Sequence, residues 1–231
     1  MKIITSKVAV ISCTKKKESE KESLMIYRSF TDCNFSNNVI LDIIWENKEG
    51  LNKVYNRCLE YYKNKNYDFL VFVHDDVYLD DTKLVEKLQK AVSDWKFDII
   101  GLAGGLNPKI QHPALWHIMC PKQDQRGQVQ HPASEKQIYY TAFGPTPSRV
   151  AIIDGVFIAV NMKRICEVGW KFNENYKFHH YDLSSCIDAN KLKLRIGVYP
   201  IHIIHLSPGL RSLDDPSWKE SNEKFLKEYG S

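Results

Sequence analysis

Five apolar residues, Phe69-Leu70-Val71-Phe72-Val73, run straight into His74-Asp75-Asp76-Val77-Tyr78-Leu79. The run is too short for a core helix and has no helical period, so it reads as a strand buried on both faces, the central strand of an α/β sheet. In open α/β sheets, ligands bind outside the carboxyl ends of the strands. His74, Asp75 and Asp76 stand at that edge. A carboxylate there can hold a divalent cation, and the cation can hold a diphosphate. Asp80, Asp81 and Thr82 suit the cap of a following helix. His74, Asp75 and Asp76 come too early for that task.

Length and charge set the remaining bounds. The 231 residues suit one α/β domain carrying a substantial insertion. Against 28 acidic residues stand 32 lysines and arginines, a net charge of +4 that is too mild to argue for a nucleic-acid partner. The basic run Lys15-Lys16-Lys17 is followed by Glu18, Glu20 and Glu22 and reads as a solvated loop. No apolar stretch reaches transmembrane length. The apolar residues 8–11 near the N-terminus are too few for a signal peptide and fit a first strand. Six cysteines lie scattered without a C-x-x-C pair, the pattern of reduced thiols in a cytoplasmic protein.

Along the chain, 7–13 reads as the first strand. It ends in Ser12-Cys13-Thr14, small and polar enough to lie under a nucleotide. The second strand is expected over 39–45. Leu51, Val54, Tyr55, Cys58, Leu59 and Tyr62 then make one continuous helical face over 50–62. Leu84, Val85, Leu88, Ala91, Val92 and Trp95 predict a second amphipathic helix, and 97–102 a further strand ending at Gly104-Gly105. Strand alternating with helix argues for a mostly parallel, Rossmann-like nucleotide-binding sheet. Neither G-x-G-x-x-G nor G-x-x-x-x-G-K-[ST] occurs. Six of the nine prolines fall in 107–149, together with Trp116 and three histidines. That segment reads as a long, loop-rich insertion able to act as a lid. Strand character returns over 150–161, broken at Asp154-Gly155. A helix over 162–168, one over 183–190 capped by Asp182, a strand-like segment over 194–206 and a terminal helix over 217–229 complete the chain.

These residues, in this order, resemble the GT-A fold glycosyltransferases, and among them the family-2-like enzymes. Four local matches carry the resemblance, which covers nearly the whole chain. Asn47-Lys48-Glu49-Gly50, leading to Asn56, is similar to the loop and helix start beside the nucleotide-sugar. His74-Asp75-Asp76 occupies the place of D-x-D, with His74 for the first acid and Asp76 matching the second. Ile153-Asp154-Gly155-Val156-Phe157 resembles the strand lining the sugar and acceptor site. Phe178-His179-His180-Tyr181-Asp182 stands where the family has an acid pair, with Asp182 matching the base and Tyr181 replacing its neighbour. His205 resembles a late histidine that reaches the metal or diphosphate.

The resemblance implies a glycosyltransferase moving sugar from a nucleotide-diphospho-sugar, a UDP-sugar in the first instance, to a hydroxyl of a glycan or other acceptor, with inversion. Asp76, His205 and His74 are the expected ligands of Mn2+ or Mg2+. Ser12, Thr14, Asn47, Gly50, Asn56, Asp75 and Asp154 are expected around the donor, with Trp116 offering a stacking surface to a sugar ring. Asp182 is the expected general base, kept ionised by the helix N-terminus behind it. Two other readings stay open: a nucleotidyltransferase, though the glycine-rich loop it would need after the first strand is missing, and a catalytically silent nucleotide-sugar or glycan-binding module.

Overall fold

The computed structural model describes residues 6–134, 137–206 and 213–230. The chain runs β1 (Val8–Cys13), α1 (Met25–Asp32), β2 (Val39–Ile44), α2 (Leu51–Tyr62), β3 (Phe69–Val73), β4 (Val77–Leu79), α3 (Leu84–Ser93), β5 (Ile99–Gly101) and β6 (Ala103–Gly105). It continues through α4 (Trp116–Met119), β7 (Gln125–Ser134), β8 (Gln137–Gly144), β9 (Ser148–Arg149), β10 (Ile152–Ile153), β11 (Phe157–Asn161) and α5 (Met162–Val168). It closes with α6 (Tyr181–Lys191), β12 (Ile196–Val198), β13 (Ile203–His205) and α7 (Pro216–Tyr229).

Two sheets share these strands. The larger has the order β2-β1-β3-β11-β5-β12-β9, the smaller β10-β6-β7-β13-β4, with β8 paired to β7. In the larger sheet β1 lies between β2 and β3, parallel to both, and Ser12 stands opposite Val73 on one side and Ile43 on the other. The carboxyl ends of these three strands therefore finish together. All five residues of β3 are buried, as a strand covered on both faces requires. α2 buries Leu51, Val54, Tyr55, Cys58, Leu59 and Tyr62, the face that its periodicity predicts. One hydrophobic cluster joins β3 and β11 of the larger sheet to Ile153 and Ile203 of the smaller.

Among the described residues the chain passes between the sheets seven times: from β3 to β4, β4 to β5, β5 to β6, β8 to β9, β9 to β10, β10 to β11 and β12 to β13. Three stretches expected as single strands are thereby divided. The apolar run at 69–79 breaks at His74-Asp75-Asp76, the segment 150–161 at Asp154-Gly155, and the segment 194–206 at residues 199–202. The polar residues that interrupt each run mark the seam, where a strand leaves one sheet and its backbone turns toward the other.

The insertion differs from expectation. Residues 107–149 hold the short helix α4 and a long β7–β8 hairpin. The hairpin escaped the sequence because β8 is largely exposed, including Ile138, Tyr139 and Tyr140, so no hydrophobic-in, polar-out alternation marks it. α6 starts at Tyr181, so Asp182 lies inside the first turn and His180 takes the cap position at φ 60°. α3 starts at Leu84; Asp81 instead accepts from the backbone N–H of Lys83 and His202 and pairs with Lys87. The Ser207-Pro208-Gly209 stretch after His205 lies outside the described residues. No helix among them is long and apolar enough to cross a membrane.

Candidate active site

The antiparallel pairing of β4 with β13 sets His205 opposite Val77, beside Asp76, whose carbonyl accepts the N–H of Leu206 at 3.1 Å. Asp76 Oδ1 and His205 Nε2 face one another at 3.4 Å. Both atoms are buried, and neither has a hydrogen-bond partner among the described residues. Leaving two such groups unsatisfied costs free energy unless something else takes up their lone pairs. His74 completes the group: one ligand atom from each of His74, Asp76 and His205 falls within 4.8 Å of the others. Burial acts to raise the Asp76 carboxyl, but the adjacent His205 and His74 outweigh it and hold it below the usual carboxylate range. Burial also lowers the proton affinity of His74, the direction that metal ligation would require. The donor set therefore fits a divalent ion. With two imidazoles among the three donors, it would suit a divalent transition ion better than Mg2+, which prefers an octahedron of oxygens.

Two further carboxylates, Asp154 and Asp182, lie close enough to interact electrostatically. Asp154 Oδ1 accepts from Val156 N–H and Oδ2 from Trp116 Nε1–H, both at 2.9 Å. Burial, followed by the charge of Asp154, pushes the Asp182 carboxyl up to about 7. The amides of Leu183, Asp182 and Gly155 pull the other way, with smaller effect. The expectation of a strongly ionised Asp182 is thus corrected: desolvation outweighs the first turn of the helix.

Trp116 is also corrected. It is only 6% exposed, packs edge-on against Phe143 with centroids 4.8 Å apart, and its indole is tied to Asp154. It has no free face for a sugar. An exposed aromatic beside the site is Phe178, which stacks on His74 at 6.1 Å and 24° and is 56% exposed. Asn56 lies outside the cluster as well. Its amide group is spent on Phe172, from which it accepts and to which it donates at 2.9 Å, and on Glu174.

The remaining donor-side candidates gather at the β1 end. Ser12 is fully buried with an unpartnered hydroxyl. Thr14 is buried, and its carbonyl accepts the N–H of Asn47 at 2.8 Å, joining the β1 end to the loop before α2. Asp75 is half-buried in the β3–β4 turn. Gly50 caps α2 where a Cβ would meet the Cα of Lys177 at 2.8 Å, so only glycine admits the 172–178 loop there.

Two residues carried no assignment in the sequence. His131 of β7 donates through Nδ1 to the carbonyl of His205 at 3.2 Å, and its ring lies 5.8 Å from that of His205. Its strand pairing was illegible without the hairpin. Tyr181 was noted only as a substitute for an acid, yet its hydroxyl reaches both His74 and Gly155. His179 and His180 are turned toward α7, bonding Ser217 and Ser221.

A sequence profile described as the glycosyltransferase-like family matches residues 9–229. No curated protein matches the chain. Among solved structures, S. aureus TarS 1–349 is similar in fold, with a TM-score of 0.52 and 14% identity over 87% of this chain and 61% of that one. The same fragment in complex with UDP gives 0.52 and 12% identity, over 87% and 60%. The chain thus spans about three-fifths of the TarS fragment. The two-sheet architecture is the GT-A fold, and the chain belongs to the glycosyltransferase-like family.

Proposed function

We propose that the protein transfers a sugar from a nucleotide-diphospho-sugar, in the first instance a UDP-sugar, to an acceptor hydroxyl, with a divalent ion at His74, Asp76 and His205. The observation that carries this reading is the pair of buried, unpartnered ligand atoms at the seam, Asp76 Oδ1 and His205 Nε2. When bound there, a divalent ion supplies neutralisation of the diphosphate leaving group. Ser12, Thr14, Asn47, Gly50 and Asp75 border the donor, and UDP in the TarS complex supports the choice of nucleotide.

Asp182 acts as general base. It takes the acceptor's proton as the acceptor oxygen bonds to the anomeric carbon and the bond to the diphosphate breaks. A carboxyl near 7 is well matched to that task at neutral pH. Asp154 has both oxygens occupied by donors, so it is poorly placed to act as a nucleophile. One available carboxylate favours a single displacement with inversion. Phe178 offers its exposed face to a ring, and the 107–149 segment serves as the lid that excludes water.

The test is a thermal-shift screen of nucleotide-sugars with and without Mn2+, followed by product analysis. Mass action raises the melting temperature only for ligands of the native state. A UDP-sugar that stabilises the protein only with Mn2+ present and is turned over supports the proposal; no shift with any nucleotide-sugar and metal removes it.

A further inference from the structure

Proton counting at Tyr181 goes further. The residue is 4% exposed, its ring packed among Tyr55 and Phe172. Its hydroxyl has one proton. The carbonyl of Gly155, 2.6 Å away, can only accept, so the proton goes there. The Nε2 of His74 lies 3.1 Å from the same oxygen. With the hydroxyl proton committed, the oxygen accepts, and Nε2 must carry the hydrogen. Nδ1 is then the lone-pair nitrogen of His74, and it has no hydrogen-bond partner among the described residues. Gly155 makes the arrangement possible: a Cβ there would lie 2.5 Å from the Tyr181 hydroxyl oxygen. Gly155 is not in the left-handed region, so it is needed for space.

We infer that Tyr181 is a positioning residue that, through the gap left by Gly155, fixes His74 as the Nε2–H tautomer and presents Nδ1 to the cation. Outer hydrogen bonds of this kind set the orientation and basicity of a histidine ligand. The inference rests on the metal reading of the preceding subsection, and the test separates the two.

Long-range 1H–15N spectra of metal-free protein, with His74 assigned from a His74→Gln variant, read the tautomer directly. Mn2+ titration calorimetry reads the ligand set. The wild type should show His74 as Nε2–H. Tyr181→Phe, which keeps the ring and loses the hydroxyl, should show mixed tautomers and bind Mn2+ roughly 10-fold or more weakly, with an unchanged fold by circular dichroism. Should that variant not fold, Gly155→Ala displaces the hydroxyl without removing it and should weaken Mn2+ binding in the same way. An Nδ1–H wild type overturns the inference, and so does Mn2+ affinity unchanged in the folded variant. If the wild type binds no Mn2+, the metal reading fails and the presentation of Nδ1 to a cation fails with it, while the spectra still decide the tautomer.

Discussion

Asp76 and Asp182 each hold an unusual electrostatic position for a definable reason. Asp76 Oδ1 and His205 Nε2 are buried without a hydrogen-bond partner among the described residues, an arrangement that a bound cation would complete. Asp76→Ala and His205→Ala should each abolish Mn2+-dependent UDP binding in calorimetry while leaving the far-ultraviolet spectrum intact. Asp182 is held near 7 by burial and by Asp154. As the proposed base it would be active when ionised, so kcat/KM should rise with pH through about 7, above the ordinary carboxylate range. Asp182→Asn should lower kcat on the order of a hundredfold or more with donor affinity nearly unchanged. A pH profile without that acidic limb would send the search for the base elsewhere. Phe178→Ala should raise KM for donor or acceptor while sparing Mn2+ affinity, because its ring lies beside His74 and contributes no ligand atom.

At the scale of elements, the β7–β8 hairpin and α4 reach the site differently. The hairpin approaches through His131 and the carbonyl of His205, whereas α4 sends Trp116 to Asp154. If the hairpin closes over bound donor, limited proteolysis should cut within 125–144 more slowly when UDP-sugar and Mn2+ are both present; equal rates would argue against a lid. Trp116→Phe keeps most of the packing against Phe143 and removes one donor to a carboxylate. It should cost about 1.5–3 kcal/mol in denaturant unfolding, the usual worth of a hydrogen bond to a charged group. The hairpin was missed in the sequence because an exposed strand needs no apolar alternation. The helices were legible because α2 and α3 bury one face each.

For the molecule as a whole, the seam between the sheets holds the proposed site. His74–Asp76 and Asp154–Gly155 sit on crossings between the sheets, and His205 ends the strand that follows a third. Folding therefore assembles the site, and stability should report on its charges. A carboxyl raised to about 7 in the native state binds more protons there than in the unfolded chain. Its contribution is then full at low pH and is lost as pH rises from about 4 toward 7. Asp182→Asn should flatten that part of the stability curve, as read by urea midpoints across the range; an unchanged slope would show that Asp182 ionises normally.

Local pattern by itself determined much of this protein. The continuous apolar run of β3, the single buried face of α2 and the alternation of strand and helix fixed the α/β class, because burial on both faces and a 3.6-residue period leave direct marks on a sequence. The order of His74-Asp75-Asp76, Asp154-Gly155, Asp182 and His205 also pointed to the family. Tertiary structure decided the rest. Whether Trp116 faces a ligand or the core depends on its contacts with Phe143 and Asp154, which lie far away in the chain. The proton affinity of Asp182 depends on how deeply it is covered, not on its place in a helix. The role of Tyr181 depends on a carbonyl 26 residues distant in sequence. Side-chain identity is local, whereas desolvation, hydrogen-bond partners and free space are properties of the packed chain.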